Sequence, residues 1–320
     1  MQVSWFVDPF RRAPDELLAG WPALVETACA ANGGSMRVTV AQVVLRRTAR
    51  GHSERPLSFD SVGEELRAAC RGLLAFARGA RRPARPSPLP AREAYRLWAP
   101  SYETENAVTL LDERAVAALS PPVEGRALLD AGCGTGRRLP PPGVARRAVG
   151  VDLVPEMLQA GRARRPAGPP LIAGDITALP LRDASFDLVW CRLVAGHLPA
   201  LDGLYRELAR VCRPDGCVIV TDFHPAAARA GHDRTFRDAA GRVWAIEHHV
   251  HDAETHEQAA AAAGLALDAR LDAAVGPEVR PFYERAGALD RYEAQLGLPL
   301  VLALRFTRRA GPATKRASSA

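Results

Sequence analysis

Apolar and polar positions along this chain follow two rhythms, and the places where one rhythm gives way to the other mark the elements. Residues 104–119 carry apolar side chains at helical spacing. Short apolar runs follow at "RALLDAG" and "RAVGVD", then a helical segment "PEMLQAGRARR", then the runs "PLIAGD" and "FDLVWCR". A helix "LDGLYRELARVC", a turn "RPDG" and a strand "CVIVTDF" continue the series. Brief apolar runs bounded by turn residues read as strands, and strands alternating with helical segments predict a parallel, doubly wound α/β sheet. Farther on, "RVWAIEHHVH" alternates as an extra strand, "THEQAAAAAG" is a helix stopped by glycine, and "LALDARLDAAVG" is strand-like. A helical block "PEVRPFYERAGALDRYEAQLG" and a final strand "LVLALRFTRR" complete the pattern.

Upstream the rhythm differs. "VSWFV", "DELLAGWPALVETACAANGG" and "RVTVAQVVL" predict one strand–helix–strand crossover, and "SVGEELRAACRGLLAFARG" a further amphipathic helix. This unit resembles the opening of a GT-B glycosyltransferase half-domain over about 50 residues. Prolines and arginines crowd "RGARRPARPSPLPARE", where no helix can continue. The expected organisation is an N-terminal α/β appendage over 1–80, a linker over 81–92, a main domain over 93–308 and a disordered tail over 309–320.

Composition changes this picture little. The chain has 320 residues, 48% of them hydrophobic and 24% charged, with no apolar run long enough for a membrane helix. The N-terminus has no basic leader before an apolar stretch, so a cytoplasmic protein is expected. The net charge of +6 comes from arginine, Lys315 being the lone lysine. No basic stripe with interleaved aromatics accompanies it, and nucleic acid is not an expected partner. The six cysteines form no C-x-x-C pair and read as buried hydrophobes.

Chemistry concentrates in "LLDAGCGTGRR". Apolar residues run into Asp130 and then Gly132, Gly134 and Gly136, so the backbone can turn off the strand and meet a ligand without an intervening Cβ. Asp152 ends the next strand, where a carboxylate suits a pair of ribose hydroxyls, and Asp175 ends the third. Each acid alone could equally be a helix cap or a solvated loop residue. A nicotinamide site would call for G-x-G-x-x-G, which this run does not supply.

Together, "LLDAGCGTGRR", "AVGVDLVPEML", "AGDITALPLRDASFDLVWC" and "LARVCRPDGCVIVTDF" resemble the ordered motifs of class I S-adenosylmethionine-dependent methyltransferases, closest to their ubiquinone- and sugar-type small-molecule branch, over about residues 92–308. The resemblance implies a seven-stranded Rossmann-like sheet, mostly parallel with its last strand antiparallel. S-adenosyl-L-methionine would be the cofactor and S-adenosyl-L-homocysteine its product. Asp130, Gly132, Cys133, Gly134, Gly136 and Arg137 would border the methionine portion and Asp152 the ribose. Asp175 and the Ile176 backbone would hold the adenine, flanked by Leu153 and Met157. Cys191 and Arg192 would border the sulfonium, and Tyr95, Trp98 or Tyr102 in "REAYRLWAPSYE" would close over the cofactor.

The acceptor is expected to be a small molecule methylated on oxygen, from a sugar, natural product or quinone-like compound. Removing a hydroxyl proton needs a base. His197 and Asp222, at the ends of adjacent strands, are the expected pair, with the aspartate fixing the imidazole; the alternative for His197 is a helix cap. The histidines His224, His232, His248, His249, His251 and His256 match no standard zinc spacing and read as a polar wall of the acceptor site, with no metal expected. Two other readings stay open: a protein of this fold that binds the cofactor for a different reaction, and a binding-only accessory. A homodimer through the appendage is one arrangement the sequence allows.

Three prolines, Pro140 to Pro142, stand where the first crossover helix should run. Proline in a helix interior costs roughly 3 kcal/mol or more, so this helix is expected to shrink to one turn, Gly136 to Leu139. Residues 1–80 are expected to cover the sheet surface it leaves.

Overall fold

The structure is a computed structural model, which describes residues 88–309. The appendage, its crossover, its suggested dimer contact and the tail beyond residue 309 lie outside the described residues, as does the covering role expected of residues 1–80.

The chain begins with β1 (Pro88–Leu89), α1 (Ala91–Trp98) and a 3₁₀ turn (Ala99–Ser101), followed by α2 (Ala107–Leu119). Residues 88–92, expected in the linker, thus belong to a strand and a helix. The cause is tertiary: β1 pairs in parallel with the backbone of Ala245 and Ile246, a contact that proline-rich composition does not announce. The α/β series follows with β2 (Ala127–Ala131), β3 (Arg147–Asp152), α3 (Pro155–Arg164), β4 (Leu171–Ala173), β5 (Phe186–Arg192), α4 (Asp202–Val211) and β6 (Cys212–Phe223). The rest comprises α5 (Pro225–Arg229), β7 (Thr235–Arg237), β8 (Val243–Ile246), α6 (Ala253–Ala262), β9 (Leu265–Ala274), α7 (Arg280–Arg285), α8 (Leu289–Gln295) and β10 (Pro299–Arg308).

Seven strands form one sheet in the order β4-β3-β2-β5-β6-β10-β9, with β10 antiparallel to both neighbours. The order reverses between β2 and β5, so the carboxyl ends of these strands open a crevice. A second sheet, β1-β8-β7, stands beside α1. The main sheet is doubly wound because both faces are apolar. Every residue of β2 is buried, as a strand covered on both sides must be.

One face packs under α4, whose Leu204, Tyr205 and Leu208 are fully buried, each such side chain contributing about 1.5–3 kcal/mol. The other packs under α2 through Ala115, Val116 and Leu119. An Asn106–Thr109 capping box fixes where α2 starts.

No helix forms between β2 and β3. The expected single turn at Gly136–Leu139 reduces to one bond, from Leu139 N–H to the Gly136 carbonyl at 3.1 Å. The prolines then carry the chain across in turns. Leu139 nonetheless reaches the α2-side core, where it is 7% exposed. The expected "RPDG" turn is instead a kink inside β6, with Asp215 at φ 61° and a register shift against β5.

Candidate active site

The crevice starts at the glycine loop after β2. Gly132, Gly134 and Gly136 adopt φ of 81°, 69° for the last and 57° for the middle one, the left-handed region open to glycine. Space matters as much: a Cβ on Gly132 would run into Val194, and one on Gly134 would lie 3.1 Å from Met157 Cε and 3.2 Å from Tyr102. The loop is tied to β3 rather than to a helix. Gly132 and Cys133 N–H groups donate to the Val151 carbonyl at 2.8 and 3.0 Å, and Gly134 N–H donates to Asp152 Oδ2 at 2.7 Å. Asp152 Oδ1 accepts from Val154 N–H at 2.9 Å. The missing helix is therefore not what shapes the loop.

Glu103 braces the loop from outside. It accepts from the Thr135 hydroxyl at 2.8 Å and pairs with Arg165, while its carbonyl accepts from Arg137 at 2.9 Å. Partial burial would raise the Glu103 carboxyl, but the Arg165 and Thr135 bonds and the Arg165 and Arg164 charges outweigh it and lower its pKa. They also carry Tyr102, its neighbour, to the mouth of the crevice.

One cavity brings together Tyr95, Trp98, Tyr102, Asp130, Gly132, Cys133, Gly134, Arg137, Asp152, Leu153, Met157, Asp175, Ile176, Arg192 and His197. Asp130 is 2% exposed and its Oδ1 has no hydrogen-bond partner among the described residues. Burial lifts its carboxyl to about 7, against the opposing pull of Arg192. Burial likewise raises Asp152, partly offset by the loop amides. Asp175, at the outer rim, spends Oδ1 on the Thr177 amide and hydroxyl, both at 2.7 Å.

Three expected site residues do not line this cavity. Gly136 faces an outer groove beside Leu171. Cys191 and Asp222 are buried, at 0% and 1% exposure. The expected His197–Asp222 pair does not form. Asp222 Oδ1 accepts from the Gly196 and Phe223 amides at 3.2 and 2.8 Å, and its Oδ2 lies 3.4 Å from His256 Nε2. His256 in turn meets the Tyr205 hydroxyl at 2.8 Å. Neighbouring strand ends bring residues 197 and 222 close, but the side chain of Asp222 is turned beneath the loop by these amides.

His197 instead meets the Tyr95 hydroxyl through Nε2 at 3.0 Å, and its Nδ1 faces the Glu247 carbonyl at 3.4 Å. Burial and the nearby Arg234 guanidinium hold its pKa well below the ordinary histidine range, so the ring is neutral. The histidine-rich segment 248–251 clamps the loop that carries it: His249 N–H donates to the Gly196 carbonyl at 2.7 Å, and His251 Nε2 meets the Leu198 carbonyl at 2.8 Å. Among the described residues no cluster of histidine, cysteine or acid could hold a metal ion.

Several cavity residues escape the sequence reading. Arg234 lines the cavity from the β6–β7 connection, with no local pattern to announce it. Asp112 accepts from Arg192 at 2.6 and 3.1 Å and from the Thr221 hydroxyl at 2.6 Å. Its signal was present: Asp112 stands on the same helical stripe as Val108, Ala115 and Leu119, an acid at a core position.

The comparisons with known proteins agree with this geometry. Residues 129–220 match the methyltransferase domain family model. The chain is 33% identical over 194 residues to malonyl-[acyl-carrier protein] O-methyltransferase of Dechloromonas aromatica, covering 57% of this chain and 68% of that one. It is 30% identical over 204 residues to 27-O-demethylrifamycin SV methyltransferase of Amycolatopsis mediterranei, covering 60% and 71%. Three further malonyl-[acyl-carrier protein] O-methyltransferases are spanned over half their length or less. In fold, it resembles a solved complex between the Haloferax volcanii Trm112 methyltransferase activator and a methyltransferase, with TM-score 0.51 and 20% identity over 69% of this chain and 99% of that one. With the sheet order, the glycine loop and these relatives in agreement, the chain belongs to the S-adenosylmethionine-dependent methyltransferases.

Proposed function

We propose that this enzyme methylates an oxygen of a small-molecule acceptor admitted between the glycine loop and the aromatic side chains of α1 and its 3₁₀ turn. The observation that carries the reading is the cavity itself, in which buried acids and a glycine cradle face a wall of Tyr95, Trp98, His197 and Arg234. The names of the two relatives, both O-methyltransferases acting on unlike acceptors, support oxygen as the target and leave the acceptor open.

The residues present suit S-adenosylmethionine. Asp130 offers a buried, unpartnered carboxylate oxygen for an ammonium group, and Gly132 and Gly134 leave room that a Cβ would fill. Asp152 has lone pairs to spare beside its two amide bonds, which suits ribose hydroxyls, while Met157 and Ile176 offer apolar contact to a ring. When bound, this cofactor supplies a methyl group made electrophilic by a cationic sulfonium.

The chain's own work is then alignment and exclusion of water. Tyr95 stacks on Trp98 at 5.7 Å and meets Tyr102 edge-on at 5.9 Å, giving an aromatic lid whose hydroxyl reaches His197. Arg192 borders the cavity but is neutralised by Asp112, so it does not repel a cation there. Calorimetric titration with S-adenosylmethionine and S-adenosylhomocysteine tests the reading: binding of both is expected, and no binding of either at millimolar concentration refutes it.

A further inference from the structure

Arg234 is the cavity's unspent charge. The residue is 7% exposed, and among the described residues its guanidinium meets no carboxylate. Nη2 donates to the Leu193 carbonyl at 2.9 Å and to the Tyr95 hydroxyl oxygen at 3.3 Å, while Nη1 is buried with no partner. By contrast, the cavity's other deeply buried cation, Arg192, is matched by Asp112 at 2.6 Å. A buried guanidinium left unmatched is costly unless an anion completes it, and Nη1, the nitrogen left without a partner, is free to donate to a carboxylate oxygen.

The same corner offers no free base. Because Arg234 donates to the Tyr95 oxygen, the Tyr95 hydroxyl is free to donate to His197 Nε2, which places the imidazole proton on Nδ1 toward the Glu247 carbonyl. Both ring nitrogens are then occupied. Asp222 is buried beneath the loop against two amides and His256. A hydroxyl acceptor arriving here would keep its proton, whereas a carboxylate needs to lose none.

We propose that the acceptor is an organic carboxylate, held by Arg234 and converted to its methyl ester. This rests on the methyltransferase reading above and narrows it. A carboxylate oxygen lone pair forms the new carbon–oxygen bond to the methyl group as the carbon–sulfur bond breaks, with its electron pair remaining on sulfur. No proton changes hands, and the sulfonium and carboxylate charges are both discharged.

The test uses the full chain saturated with S-adenosylhomocysteine, titrated calorimetrically with octanoate, phenylacetate and glutarate, and with 1-octanol and 2-phenylethanol as uncharged counterparts. At least one carboxylate is expected to bind, with its affinity lowered tenfold or more in Arg234→Gln and largely restored in Arg234→Lys. Both variants should hold S-adenosylhomocysteine as the unaltered chain does, which shows that they fold. Tritiated methyl transferred to the bound carboxylate should be released as volatile methanol by alkali, as an ester requires. The proposal is overturned if no carboxylate binds, if Arg234→Gln leaves binding unchanged, or if the label is alkali-stable. Failure of S-adenosylhomocysteine itself to bind sinks the broader reading instead.

Discussion

Asp130 gives the sharpest quantitative test. Its carboxyl is buried at 2% exposure, lacks a partner for Oδ1, and stands at about 7 against an ordinary 3.8. In the folded chain it therefore holds its proton up to about pH 7, whereas in the unfolded chain it loses it near 3.8. The folded state binds the extra proton between these values, so stability falls as pH rises through that window and the penalty is complete above about pH 7. Three pKa units correspond to roughly 4 kcal/mol in all, of which about 2 kcal/mol accrues between pH 5.5 and 8. Asp130→Asn cannot ionise and escapes this term. Urea unfolding of both proteins at the two pH values should show the variant's relative stability improving by about 2 kcal/mol from pH 5.5 to pH 8. Taking the difference between variant and parent cancels the titrating groups that do not sense Asp130. The same substitution should weaken S-adenosylhomocysteine at pH 8, because a carboxylate is lost from the cradle. A stability difference independent of pH would refute the reasoning.

Two more outcomes follow from packing and charge. Arg192→Met should lower unfolding stability by about 3–5 kcal/mol, since Asp112 would be left buried without its cation; chemical denaturation reads this, and Arg192→Met with Asp112→Asn should recover part of it. Gly161→Ala should cost about 1–3 kcal/mol in the same assay, because the new Cβ would strike the Thr135 carbonyl where α3 passes under the glycine loop. The shift should also weaken S-adenosylhomocysteine in calorimetry, and unaltered affinity would show that the loop does not depend on α3.

The local features of the site were legible because they are properties of a few consecutive residues. A strand of "ALLDA" covered on both faces, glycines that must turn off its end, and acids closing the next strands follow from side-chain size, backbone freedom and position. So does the failure of a helix at Pro140 to Pro142, before which only the single bond from Leu139 N–H to the Gly136 carbonyl closes a turn. Tertiary contact alone decided the rest. Sequence placed His197 and Asp222 at neighbouring strand ends, but Asp222 is turned by the Gly196 and Phe223 amides and His256, and His197 by Tyr95 and Glu247, partners that a local pattern does not bring together. Arg234 enters the cavity from a connection without periodicity, and Pro88–Leu89 becomes a strand because β8 offers it an edge. Periodicity records which face of an element is buried; it carries no record of which distant polar group waits there.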